Sequence, residues 1–381
     1  MIKAFFGSRQ WAKFAYGGAG FLLLSLYAQV QMSVALNTWY GGFYNLLQKA
    51  STFQDDPQKG IELFYDKLFS FSYLLHFEGA PSFAAIAFPY VLVATVTAYF
   101  TRRYGLWWRE AITFKYIPKW RTVEHEIEGA SQRIQEDAYR FARIVETLGL
   151  QLARAVMTLI AFLPVLWYLS QFVAVDIAWL HVSSITFIDV AHIVDASQVD
   201  GVRFRNVPEG IQVINNAYVP GLLVWAALFA SVGGMIVSWF VGWKLPGLEY
   251  NNQMREAAFR KELVYGEDNK RDYASIATLT ELFTGVRWNY KRLFLHYGYF
   301  DIWSNFYGQF MIIVPYLIIG PSLFTGAVLL GVVMQVVNAF GQVHNSFSMA
   351  IDNWTTITEL RSIWKRLHEF EANLDRHQVQ T

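Results

Sequence analysis

Two runs of this chain repeat polar side chains at steps that return to one face of an α-helix. Glu128, Gln132, Gln135, Tyr139 and Glu146 follow offsets of 0, 4, 7, 11 and 18. Glu249, Gln253, Glu256, Arg260 and Glu267 follow the same offsets. Each stripe rises about 27 Å from end to end at 1.5 Å per residue. Glu136 stands about 80° off the first stripe, within reach of a neighbouring helix. Gly266 is a candidate helix end just before Glu267. The chemistry such stripes offer is proton binding. Glu146 is the sharpest case, because its segment, Ile144–Ala153, is otherwise nearly apolar. Desolvation penalises the charged form of a carboxylate and raises its pKa towards neutrality. The alternative is an ion pair of Glu146 with Arg143 or Arg154, which would lower the pKa. For the other stripe residues, the alternative is a solvated face. The residue types leave these readings open.

Other chemistries lack their residues. There is no cysteine, which excludes disulfides, thiolate metal sites and cysteine nucleophiles. His125-Glu126 and His368-Glu369 begin an HExxH zinc motif, but Gly129 and Ala372 stand where the second histidine is needed. No GxSxG elbow occurs, and no GxxxxGK[ST] loop to cradle phosphates. The chain also ends about ten residues after the helix that would feed an ATPase domain. No cofactor or metal is expected. Net charge +1 gives no polyanion-binding surface, so nucleic acid is not an expected partner.

The elements that must position these residues follow from hydropathy. Of the 381 residues, 54% are hydrophobic and only 16% charged, against about 25% in soluble domains. Long stretches carry no charge, and a bilayer core needs about 20 apolar helical residues. The expected spans are 14–36, 79–101, 155–175, 217–243, 302–319 and 322–345, the last two forming a hairpin broken at Gly320–Pro321. Segments 102–154 and 244–301 read as helical extensions beyond the bilayer. Together, 1–371 forms one transmembrane domain and 372–381 a tail. Lys3, Arg9 and Lys13 precede the first span without a convincing cleavage site, so it reads as an uncleaved anchor.

Lys and Arg counts set the orientation. Segments 102–145 and 244–301 carry nine each, while 37–78 has three and 176–209 two. Both termini and the two basic segments are therefore expected in the cytoplasm. Arg154 and Asp301 fall at helix edges, where snorkelling is the usual account. Trp107, Trp108, Trp239 and Trp243 read as an interfacial belt. Trp39, Tyr40 and Tyr44 read as belt or packing residues ahead of a peptide path. Gly17-Gly18-Ala19-Gly20 suggests close helix packing.

Some stretches are more specific. Ile127-Glu-Gly-Ala-Ser-Gln-Arg-Ile-Gln-Glu-Asp-Ala-Tyr-Arg-Phe-Ala142 leads to Met157-Thr-Leu-Ile-Ala-Phe-Leu-Pro-Val165. Lys244-Leu-Pro-Gly-Leu-Glu249 leads to Glu256-Ala-Ala-Phe-Arg-Lys-Glu-Leu-Val-Tyr-Gly-Glu-Asp268. With Asn338-Ala-Phe-Gly-Gln-Val343 and Asn353-Trp-Thr-Thr356, these resemble the SbmA/BacA family of inner-membrane peptide-antibiotic transporters, over about Trp39 to Glu371. The resemblance implies an ABC-exporter-like, type-1 transmembrane fold without an ATPase domain, assembled as a homodimer. It implies proton-driven import of peptides, including proline-rich antimicrobial peptides, microcins and bleomycin-like compounds. The family's proposed proton-coupling glutamates fall on Glu136, Glu146, Glu256 and Glu267. The chain departs from the pattern in starting near the first exporter-type helix and in a longer 176–216 connection.

The resulting expectation is an all-α integral membrane protein of six spans in the bacterial inner membrane, not an enzyme. Its partners would be a second copy of itself, peptides, protons and the bilayer. Glu128, Gln132, Gln135, Tyr139, Glu249, Gln253 and Arg260 are candidate cavity-lining residues. The alternative is the transmembrane subunit of an ATP-driven transporter whose ATPase is a separate chain.

Overall fold

Apolar backbone in lipid has no water to bond, so each polar main-chain group must be satisfied within its own segment, and a helix does this. The computed structural model describes residues 1–73, 80–123, 130–171, 220–269, 271–324 and 326–378, and these form helices and turns without a strand. The short α1 (Ile2–Phe5) precedes α2 (Ala12–Gln48). Then come α3 (Pro57–Phe69), α4 (Phe83–Arg121), α5 (Ala130–Ser170) and α6 (Leu222–Gly242). The chain continues through α7 (Leu245–Asp268), α8 (Ile276–Phe324), α9 (Leu330–Asp352) and α10 (Trp354–Gln378). Starts are encoded locally. Asp56 accepts from the Lys59 amide at 3.3 Å ahead of Pro57, and the Ser82 hydroxyl accepts from the Ala85 amide at 3.2 Å.

Five helices among the described residues are long and apolar enough to cross a membrane: Ala12–Gln48, Phe83–Arg121, Ala130–Ser170, Leu222–Glu267 and Ile276–Phe324. α9 is not among them, because Gln335, Asn338, Gln342 and His344 dilute its apolar character. The hairpin corner also differs from expectation. α8 continues through Gly320 and Pro321 to Phe324, since a proline removes one backbone bond while its neighbours hold the helix. The turn comes at Gly326, whose φ of +74° suits a residue without Cβ. The Ser322 carbonyl closes it by accepting from the amides of Ala327 (3.0 Å) and Val328 (3.2 Å). The expected tail likewise begins as helix, and Leu374 of α10 is fully buried.

The chain divides into two compact units, Met1–Leu228 with Val314–Thr381, and Phe229–Ile313. In the first, α2, α4, α5 and α9 pack side by side, with α10 against α4 and α5. Its core holds Phe5, Tyr104, Trp108, Ile112, Tyr116, Phe141 and Leu367. Trp108 stacks on Phe5 at 5.4 Å, so this tryptophan is core and not belt. Gly18 lets α2 approach Tyr104, where a Cβ would lie 2.6 Å from the ring, whereas Gly17 and Gly20 face open space. Trp39 stacks on Phe43 at 4.6 Å and donates to the Lys67 carbonyl at 2.8 Å, a packing role.

In the second unit, Leu245 and Leu248 of α7 meet Leu293 of α8. The Asn289 amide donates to the Leu248 carbonyl at 3.1 Å and to Asn252 Oδ1 at 3.2 Å, tying the two helices together. Trp239 and Trp243 are exposed and pack edge to face at 5.2 Å.

Candidate functional site

The charge-free apolar run of α5 begins at Ala155, and the helix extends well beyond it toward Ala130. Gln132, Gln135, Tyr139 and Glu146 of the first stripe lie on this extension, as does Glu136. A five-residue π-helical segment, Arg133–Asp137, interrupts it. Such a segment bonds i to i+5 and takes more residues per turn, so the strict α offsets do not hold across it. Glu128 lies outside the described residues. Gln132, Gln135 and Tyr139 are exposed.

Glu136 accepts from the Gln132 amide at 3.3 Å and pairs with Arg140 at 2.8 Å, and Arg140 also reaches Glu359 of α10 at 3.2 Å. These three charges are about half exposed, so the pairs orient the side chains more than they stabilise the fold. Beside them, Asp137 is buried, its side chain 2% exposed. Arg366 of α10 grips it with two bonds, 2.8 and 3.1 Å, and Arg133 adds a third at 2.7 Å. Burial alone would raise the Asp137 pKa, but the two guanidinium groups outweigh it and hold the carboxyl below its ordinary range. This clamp escapes sequence reasoning, because Asp137 and Arg366 are 229 residues apart. The only local hint is Arg133 four residues before Asp137.

Glu146 sits one helical turn short of Leu150, half buried between α4 and α5. Its carboxylate lies directly on the backbone of Gly105, in space that any Cβ there would occupy. Among the described residues neither of the alternative ion pairs forms. Arg143 donates to the Tyr139 hydroxyl at 3.1 Å, and Arg154 turns away to Gln29 Oε1. Burial pushes the Glu146 carboxyl up to about 7, and the charge of Arg143 offsets only part of that. The neighbouring Tyr104 hydroxyl is pushed up to about 12, by burial first and by Glu146 second. A carboxyl placed so can take up and release a proton near neutral pH.

In the second unit, Glu249, Gln253, Glu256, Arg260 and Glu267 all lie on α7, which runs unbroken past Gly266 to Asp268. Leu245, Leu248 and Asn252 form the buried seam of α7, and the stripe lies beside it. Gln253, Arg260 and Glu267 are exposed, and Glu249 and Glu256 are partly so. Gly266 does not end the helix. It makes room for Ala274, whose methyl occupies the place a Cβ would take. Among the described residues no cluster of three metal-ligating side chains occurs.

The model of the SbmA/BacA-like family matches residues 8–207 and 201–375. Among curated proteins, the chain is 23% identical over 369 residues to the inner membrane ABC transporter ATP-binding protein YddA of Escherichia coli, covering 92% of this chain and 55% of that protein. It is 27% identical over 184 residues to ABC transporter D family member 2, chloroplastic, of Arabidopsis thaliana, covering 46% and 25%. An uncharacterized ABC transporter ATP-binding protein of Synechocystis matches at 22% over 295 residues, covering 73% and 37%. The chain thus spans about half or less of the length of these relatives.

Proposed function

The chain belongs to the SbmA/BacA-like family of membrane transporters, and we propose that it imports peptides and peptide antibiotics across the bacterial inner membrane, driven by protons. The observation that carries this reading is Glu146. It is a half-buried carboxyl without an ion-pair partner among the described residues, and it titrates near neutral pH. Glu136, Glu256 and Glu267 are its proposed companions in proton coupling. Two copies of the chain would enclose a water-filled cavity, which gives the stripe charges a solvated setting. Proton binding inside that cavity changes its charge and biases the dimer between outward-open and inward-open arrangements. Both termini would face the cytoplasm.

The test is uptake of a labelled proline-rich peptide into vesicles carrying this protein, with an inward acid-to-neutral pH gradient and no ATP. Accumulation that collapses with a protonophore supports the proposal. Accumulation that requires ATP and ignores the gradient would instead make the chain the membrane part of an ATP-driven transporter.

A further inference from the structure

An arginine at a helix edge ordinarily snorkels to the interface, but the first unit places the Arg154 guanidinium elsewhere. It donates to Oε1 of Gln29, a residue 3% exposed and 15 positions inside the charge-free run that starts at Phe14. That is about 22 Å along α2. The orientation of Gln29 is fixed from behind, since its amide donates to Thr97 Oγ1 at 2.9 Å and Thr97 donates to the Val93 carbonyl at 2.6 Å. The guanidinium opens on a cavity of about 230 Å³ whose polar lining is Gln29, Ser33, Tyr90, Arg154, Thr158 and Gln342. Tyr90 lies 12 residues from Arg102, about 18 Å along α4, which again puts the cavity at bilayer depth.

None of these lining residues is acidic, and no described carboxylate pairs with Arg154. A cation at bilayer depth is costly unless it is matched, so an unmatched one marks a pathway or a site. Guanidinium presents five donors in a planar fork that fits a carboxylate with two parallel bonds. Gln29 takes one of them. The cavity is smaller than the roughly 300 Å³ at which pockets for whole drug-sized ligands begin, so it suits an end group.

We propose that this cavity is a subsite for the C-terminal carboxylate of the transported peptide, held by the Arg154 fork with Gln342 and Tyr90 beside it. The proposal rests on the peptide-transport reading and adds to it a chemical requirement on the substrate. Gln29 then has a positioning role, aligning the guanidinium.

The probes are an N-terminally dansylated proline-rich dodecapeptide with a free C-terminus, its C-terminal amide, and the amide with one internal glutamate. Binding to the purified protein in nanodiscs is read by dansyl fluorescence, and uptake into vesicles is read separately. Wild type is expected to bind the acid about tenfold or more tighter than either amide. Arg154→Gln should remove the preference for the acid over the amide, with an unchanged size-exclusion profile. Arg154→Lys should fall between wild type and Arg154→Gln, since it keeps the charge and loses the fork. Equal binding of acid and amide by wild type, or a preference that survives in Arg154→Gln, overturns the subsite. The internal-glutamate amide binding as well as the acid overturns its assignment to the peptide terminus. Discrimination in binding without accumulation under any gradient would leave the subsite standing and remove the transport reading. Accumulation of acid and amide alike would do the reverse.

Discussion

The Glu146 carboxylate rests on the backbone of Gly105, and no other residue type fits at that contact. A methyl at position 105 would occupy the place of the carboxylate oxygen, so the acid must swing out toward water. Gly105→Ala is therefore expected to lower the Glu146 pKa toward its ordinary value and to cut proton-coupled uptake about tenfold, since proton affinity is lost with desolvation. Glu146→Asp in the Gly105→Ala background, with its acid withdrawn by one methylene, should recover part of the uptake. Uptake rates against pH for the single and double variants measure this. Unchanged uptake in Gly105→Ala would show that the contact does not matter.

Glu146→Gln keeps the shape of the protonated acid and removes its titration. It is expected to abolish uptake and the accompanying proton flux while leaving membrane abundance and chromatographic behaviour intact. Arg143→Gln removes the charge that partly lowers the Glu146 pKa, so the pH optimum of uptake should move up. Because the folded-state pKa is raised, Glu146 costs stability as pH rises from about 4.5 through about 7. Glu146→Gln should thus be more thermostable than wild type at pH 8, by about 1 kcal/mol after allowance for partial exposure. The two should converge at pH 4. Thermal unfolding followed by tryptophan fluorescence gives the comparison.

Asp137 holds α10 to the π segment of α5 through Arg366. Asp137→Asn leaves two guanidinium groups facing a neutral amide in a buried place and should cost about 3 kcal/mol. Because the Asp137 pKa is lowered on folding, its stabilisation is complete above its ordinary value near 4 and fades only as pH falls through the lowered one. Between pH 5 and 8 the deficit of Asp137→Asn relative to wild type should therefore be constant. A deficit that grew across that range would point to another titrating group.

From the Lys and Arg alternation we propose that residues near Asp55 and Asp200 face the periplasm and those near Glu126 and Asp268 the cytoplasm. Single cysteines at these positions, in a chain that has none of its own, can be probed with an impermeant maleimide in permeabilised cells. Labelling should be strong at 55 and 200 and weak at 126 and 268. The opposite pattern inverts the topology.

A dimer is the proposed way to solvate the stripe residues of α5 and α7. Light scattering of the nanodisc sample should give the mass of two chains, and full uptake by a monomeric preparation would refute the assembly.

Much of this protein is legible in its sequence because a bilayer reads composition. Charge-free runs of about 20 residues have one stable solution in lipid, so the membrane class and most spans emerge without any long-range contact. The polar stripes on α5 and α7 are legible for a similar reason, since helical periodicity is local. Features set by neighbours far apart in the chain are not written locally. The continuation of α8 through Gly320 and Pro321, the burial of Leu374 and the grip of Arg366 on Asp137 depend on helices that meet only after folding. The same holds for the two arginines near Glu146. By sequence each is a candidate partner, but in the fold Arg143 is taken by Tyr139 and Arg154 by Gln29. Glu146 is left on the bare backbone of Gly105. Sequence spacing decides which groups can reach one another. Only tertiary packing decides which of them compete for the same partner, and that competition sets the charge state of Glu146.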